Sequence, residues 1–181
     1  RLFVLWERRI FPPHPHKLLP GGDGMLKHTW KIYGVWILLA EGVGALSGWL
    51  TREGARLYGQ TVLQPPLSPP APVFPVVWTL LYLLMGIGAA RVWLAPDSPG
   101  RQRGLHLFLV QLAFNFCWSL IFFNLRQFGL ALLWLAVLWV LIVAMMTAFH
   151  RADRTAALLQ IPYLLWVTFA AYLNFGVWML N

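Results

Sequence analysis

Charge is what this chain has least of. Asp and Glu number six, all four charged residue types together make up 11%, and soluble chains average about 25% charged. With a hydrophobic fraction of 59% and a mean hydropathy of +0.64, a soluble globular domain is excluded. Cysteine is also scarce. Cys117 stands alone, so no intramolecular disulfide, CxxC zinc site or CxxCH haem attachment is available. Alternation of polar and apolar residues is missing from the long apolar runs, which argues against membrane β-strands. The five histidines, His14, His16, His28, His106 and His150, fall outside those runs or at their ends, so a haem clamped by axial imidazoles inside a bundle is not expected.

What is present is a series of greasy runs. A bilayer core of ~30 Å takes about 20 apolar helical residues, and five stretches qualify: Lys31–Leu50, Val73–Leu94, Leu105–Phe123, Gly129–Phe149 and Ala156–Leu180. The last three contain no Asp, Glu, Lys or Arg. Helices satisfy every backbone group internally. The expected fold is therefore all-α, an integral membrane bundle of five transmembrane helices.

The net charge of +8 does not mark a nucleic-acid binder, because the basic residues sit between spans and form no long helix face or arm. On the N-terminal side lie Lys27, Lys31, Arg91, Arg101, Arg103, Arg151 and Arg154, with four more upstream; on the other side lie Arg52, Arg56 and Arg126. In a bacterial inner membrane this asymmetry places the N-terminus in the cytoplasm. Residues 1–24 read as an extension outside the native fold, or as a surface-lying arm. The transmembrane domain is expected over 25–181, starting where MLKHTWKIYGVW opens at Met25.

The loop after the first span, TREGARLYGQTVLQPPLSPPAPVFP, carries Pro65, Pro66, Pro69, Pro70, Pro72 and Pro75. Proline fixes φ and removes donors, so a stiff, extended segment is expected, either a linker or a lid over one mouth of the bundle. Glu41 is the one carboxylate inside a span; it faces a wet cavity or handles protons, or it is protonated or shifted to meet water. Ala40, Gly44 and Gly48, and again Gly86 and Ala90, form small-residue stripes that allow close helix approach within the bundle or between two copies.

Three segments carry more than membrane filler: PVFPVVWTLLYLLMG, QLAFNFCWSLIFFNL and LLQIPYLLWVTFAAYLNFGVW. Trp78 and Tyr82 share a helix face, as do Gln111, Asn115 and Trp118, and Trp166, Ala170 and Asn174 follow Pro162 at four-residue steps. Trp30, Trp49, Trp93 and Trp178 lie near span ends, at headgroup depth; Trp118 and Trp139 are deeper. Polar groups at depth face a partner or a cavity, so the amides serve either interhelical hydrogen bonding or a ligand cavity.

In the patterns PPxxVFPxVWTxLYxLMG, QLxxNxxWSxxFF and PYLxWVxFAxxLN the chain closely resembles the TspO/MBR family. That family comprises the tryptophan-rich sensory proteins of bacteria and the mitochondrial translocator protein, also called the peripheral-type benzodiazepine receptor. The match runs from about Thr51 to Asn181 and is weaker over the first span. It implies a bacterial five-helix bundle, commonly a homodimer, with a cavity closed by the first loop. It also implies binding of porphyrin, haem and other flat hydrophobic ligands, with no cofactor required, in sensing or transport. By position, Trp78 and Trp166 match pocket tryptophans, and Tyr58, Pro69, Pro70, Tyr82, Asn115, Trp118 and Ala170 line or close the pocket. The family's Lys-Pro in the first loop is Gln64-Pro65 here, its aromatic residue two positions later is Leu67, and one residue is inserted between Tyr58 and Gln64. The family's sterol motif lacks its basic residue after Tyr172, so sterol binding is not carried over. Two other roles are compatible with the resemblance: light-dependent porphyrin degradation, and regulation through a partner protein. No nucleophile–base pair or metal cluster in the spans supports enzymology.

Overall fold

The computed structural model describes residues 22–181, with side chains from 28 onward; of the expected extension over 1–24, residues 22–24 form the start of the first helix and the rest lies outside the described residues. Six helices follow: α1 (Gly22–Thr61), α2 (Val73–Leu94), α3 (Pro99–Ser119), α4 (Phe128–Ala152), α5 (Arg154–Leu158) and α6 (Ile161–Leu180). Five helical units are long and apolar enough to cross a membrane: α1 from His28, α2, α3 with its extension to Asn124, α4, and α5 with α6. This is the expected all-α multi-pass bundle. Its surface is the inverse of a soluble protein's, with Leu38, Leu80, Leu133, Val140 and Leu165 more than half exposed and Arg101, Gln111, Asn115, Gln160 and Asn174 buried.

Three expectations are corrected. The first helix does not stop at Leu50. TREGARLYGQT continues it to Thr61, with Thr51 Oγ1 donating to the Ser47 carbonyl and Arg56 paired with Glu53 one turn away. The proline-rich connection is accordingly short, residues 62–72, and it is turned rather than extended: Ser68 N–H donates to the Pro65 carbonyl, and Leu67 takes φ 67°. The fifth span is interrupted at Leu159–Gln160, where Gln160 turns inward and its Nε2 donates to the Ala156 carbonyl. Gly88 makes room for it, since a Cβ there would collide with the Gln160 amide.

Caps fix the short connections at one end of the bundle. Ser98 accepts from Arg101 N–H ahead of Pro99 in the first turn of α3, and Asp153 accepts from Ala156 N–H at the start of α5. Both are standard side-chain caps on otherwise unpaired helix donors. At the other end α3 loosens into a π-helical turn, Leu120–Asn124, whose Leu125 N–H reaches back to the Leu120 carbonyl. Asn124 Nδ2 donates to the Leu50 carbonyl, anchoring that turn on α1.

Both small-residue stripes have members packed inside the bundle, but Gly48 is not one of them. A Cβ on Gly86 would sit 2.6 Å from Ile37 Cα, and one on Gly44 would enter the Tyr82 ring, whereas Gly48 has open space. Removing the Cβ lets α1 and α2 approach backbone to backbone. α3 packs closely with α4, and α4 with α6. Between α2 and α6, by contrast, few Cα pairs come within 8 Å, so long side chains fill the space.

Candidate functional site

That space is spanned by a chain of buried polar groups. Tyr82 on α2 donates its hydroxyl to Asn115 Oδ1 on α3 at 3.2 Å. Asn115 Nδ2 donates to Tyr163 Oη on α6 at 2.8 Å, and Tyr163 donates onward to Gln111 Oε1 at 2.8 Å. Four side chains from three helices are thus linked, and all four are buried. An unpaired polar group in so dry a place is costly; three pairings in series remove most of that cost, leaving Gln111 Nε2 without a partner.

Aromatic rings surround this chain. Trp78 stacks on Tyr82 with centroids 5.5 Å apart and meets Tyr163 edge-on at 6.3 Å. One turn earlier on α2, Phe74 meets Trp166 edge-on at 5.9 Å. The helical period sets these contacts: positions 74, 78 and 82 fall on one face of α2, and that face looks across to α6. Trp118 lies in a neighbouring layer. Its Nε1 donates to Asn174 Oδ1, and Asn174 Nδ2 donates to the Phe128 carbonyl, tying α3, α6 and the start of α4 together. Trp118 also stacks on Phe122, which contacts Tyr58 from the extension of α1.

The nine residues singled out in the sequence therefore divide. Trp78, Tyr82 and Asn115 converge directly. Trp166 meets Phe74, one turn before Trp78 on the same face of α2, and Trp118 and Tyr58 meet through Phe122 at the level of the π-helical turn. Ala170 is half-buried on α6, four residues after Trp166. Pro69 is half-buried, and Pro70 is exposed with its carbonyl accepting from Val73 N–H where α2 begins. Glu41 is half-buried on α1 next to the fully buried Ala40.

The first loop is fastened over the end of α6. Asn181 forms a two-way clamp, accepting from Leu63 N–H and donating to the Leu63 carbonyl, each at 3.0 Å. Tyr172 donates to the Pro66 carbonyl at 3.1 Å. Pro65 rests on Gly176, where a Cβ would come within 2.5 Å of the proline ring. The loop's conformation is thus set by α6 as well as by its own prolines.

Comparison with known proteins bears on this arrangement. The sequence model of the TspO/MBR family matches residues 36–179. The chain belongs to the TspO/MBR family. Among its relatives, a tryptophan-rich protein TspO of Chlorobaculum tepidum is 38% identical, over 79% of this chain and 91% of that protein. Protein CrtK of Rhodobacter capsulatus is 37% identical, over 83% and 92%. The translocator protein of Bos taurus is 37% identical, over 76% and 83%.

For this TspO/MBR chain the residue that sequence reasoning missed is Tyr163. It is 1% exposed, bonds to two amides on α3 and carries the edge of Trp78. A tyrosine near the start of a span reads as an interfacial anchor, which hides it. The available signal was its neighbour Pro162, which sits in the first turn of α6 and marks Tyr163 as part of a new helix. Trp93, read as an interfacial residue, does more than that: it packs on Trp36 at 5.7 Å and carries the Arg101 guanidinium 5.3 Å from its ring.

Proposed function

We propose that this protein binds tetrapyrroles, porphyrin or haem, and related flat hydrophobic ligands in the aromatic interior between α2, α3 and α6, and that it acts in sensing or transport. The observation that carries the reading is the placement of Trp78, Tyr82, Tyr163, Phe74 and Trp166 across a gap that the α2 and α6 backbones do not close. Planar rings offer a planar ligand stacking faces with apolar enclosure, and a few polar groups such as Asn115 fix its orientation. A ligand entering here exchanges ring–ring contacts for ring–ligand contacts. The ligand is cargo or signal, and no resident cofactor is part of the proposal. A homodimer, and a cytoplasmic N-terminus in a bacterial inner membrane, belong to the same reading. Relatives bear the names tryptophan-rich sensory protein and translocator protein, which accord with the two roles.

The test is quenching of intrinsic tryptophan fluorescence by protoporphyrin in detergent. Saturable quenching that weakens at least tenfold in Trp78→Ala and Trp166→Ala, with helical circular dichroism preserved, is the expected result. Undiminished saturable binding in both variants overturns the site. Porphyrin flux across liposomes containing the protein then separates transport from sensing.

A further inference from the structure

Away from the aromatic interior, on the outer side of α4 and α6, lies a groove of about 430 Å³ lined by Val143, Met146, Thr147, His150, Arg151, Ala157, Leu158, Ile161 and Leu164. Its size falls in the range of small-molecule sites, about 300–1,000 Å³. It accompanies the break between α5 and α6: Gln160 turns inward toward Gly88, and a notch is left beside the last turns of α4. Most of the lining is aliphatic. Leu158 and Ile161 are exposed apolar side chains on a membrane-crossing unit, and His150 and Arg151 sit exposed at the end of α4.

Among the residues whose side chains are described, the charge at this end of the bundle is one-sided. Both carboxylates there are occupied, Asp153 by Arg91 at 2.9 Å and Asp97 by Arg101 at 3.1 Å. Arg103, Arg151 and Arg154 form no ion pair among the described residues. Gly100, at the start of α3, lies against the stem of Arg151, which brings the α3 start and its Arg101 and Arg103 to the same level. An aliphatic groove that opens toward acyl chains and ends at uncompensated cations matches one chemistry, an acyl chain bearing an anionic head.

We infer that the α4/α6 groove is a binding site for an anionic phospholipid, with an acyl chain along Val143, Met146, Ile161 and Leu164 and the phosphate at His150 and Arg151. This site is separate from the tetrapyrrole interior, and the inference does not rest on that reading. A basic side chain at an anionic surface is worth about 1 kcal/mol, so a preference of about fivefold per engaged cation is expected.

The experiment places the full chain in nanodiscs doped with phosphatidylglycerol or phosphatidylcholine carrying a photoactivatable group on the acyl chain, and maps crosslinked peptides. Capture within residues 143–164 should favour phosphatidylglycerol about fivefold or more. Arg151→Gln with His150→Gln should remove that preference, Arg103→Gln should leave it intact, and Leu158→Trp, at an exposed position, should reduce capture of both lipids. Equal capture of the two lipids, or an equal loss with Arg103→Gln, would show only a diffuse basic layer and overturn the site. No lipid capture, together with a disulfide-linked dimer of Leu158→Cys in a Cys117→Ser background, would assign the groove to a second copy of the chain and overturn it as well.

Discussion

Replacing Tyr163 by Phe deletes one oxygen from the centre of the bundle and leaves every carbon contact in place, so its cost isolates the buried polar chain. Two bonds of 2.8 Å disappear, one accepted from Asn115 and one donated to Gln111. Interhelical hydrogen bonds inside membranes average about 0.6 kcal/mol and reach about 1.7, which gives roughly 1–3 kcal/mol for the pair. The upper part of that range is expected, because Gln111 Nε2 already has no partner. After the change the whole Gln111 amide is unpaired in a dry site, and a buried orphan costs about 1–3 kcal/mol. Tyr82→Phe removes a single, longer bond of 3.2 Å and should cost about 1 kcal/mol or less. Both variants are to be compared in one detergent or bicelle by reversible unfolding, followed by circular dichroism or steric trapping. Adding Gln111→Met to Tyr163→Phe should recover about half of the loss, since replacing both partners with apolar groups is nearly neutral. A Tyr163→Phe protein within about 0.5 kcal/mol of wild type, or a Tyr82→Phe protein that is the less stable of the two, would refute the reasoning.

Three further outcomes follow from single positions. Gly86→Ala should cost about 1–3 kcal/mol by forcing α1 off α2, because the new Cβ lands 2.6 Å from Ile37 Cα; Gly48→Ala, with open space around it, should be neutral or gain up to about 1 kcal/mol from helix propensity, and the same unfolding assay reads both. At Asp153 burial raises the carboxyl, but the Ala156 N–H and the Arg91 side chain outweigh it and hold the group below its ordinary value. Its stabilisation is therefore fully present above the unfolded carboxylate value of ~3.9 and fades as pH drops through the lower folded value, so the stability gap between wild type and Asp153→Asn should close below about pH 4. Leu67 is 79% exposed with φ 67°, a conformation costing a side-chain-bearing residue about 1–2 kcal/mol; Leu67→Gly should slow proteolysis and hydrogen exchange across residues 62–72, and Leu67→Val should speed both.

How much was legible depended on which force wrote each feature. Lipid requires unbroken apolar length, so the α2 boundaries Val73 and Leu94 could be read to the residue from hydropathy and flanking prolines. The same signal failed at Leu50: the Thr51–Thr61 segment turns polar yet stays helical, with its side chains paired at i to i+3 and i+4 spacing. It failed again at Gln160, where Pro162 marks the start of a new helix but the space for the inward-turned amide comes from Gly88, 72 positions away in the chain. For the candidate site, helical spacing sufficed to group Trp78 with Tyr82 and Asn115 with Trp118. Spacing within a helix cannot say which residue on a neighbouring helix completes a hydrogen bond. Asn115 therefore turned out to serve Tyr163, and Trp118 turned out to serve Asn174.

α6 is where these separate features become one mechanical unit. Its first turn holds Tyr163 in the polar chain, its second presents Trp166 to Phe74, and its last turns clamp the loop through Tyr172, Gly176 and Asn181. The loop in turn leads directly into α2 through the Val73 N–H bond to Pro70, and α2 carries Phe74, Trp78 and Tyr82. The route from clamp to interior is thus two helices long and closed on itself: loop to α2, α2 to α6 across the rings, α6 back to the loop. Few backbone contacts join α2 to α6, so between the Gly88–Gln160 packing at one end and the loop at the other their spacing depends on the rings and the Tyr82–Asn115–Tyr163 chain between them. On the reading proposed above, a ligand that wedges the rings apart would load the clamp, and freeing the clamp would ease the movement of the rings. Asn181→Ala, which removes two of the loop's hydrogen bonds without touching the interior, should therefore speed both entry and release of protoporphyrin in stopped-flow quenching while altering equilibrium affinity far less. An affinity that collapses with unchanged release would mean that the loop contacts the ligand itself and does not act through the spacing of α2 and α6.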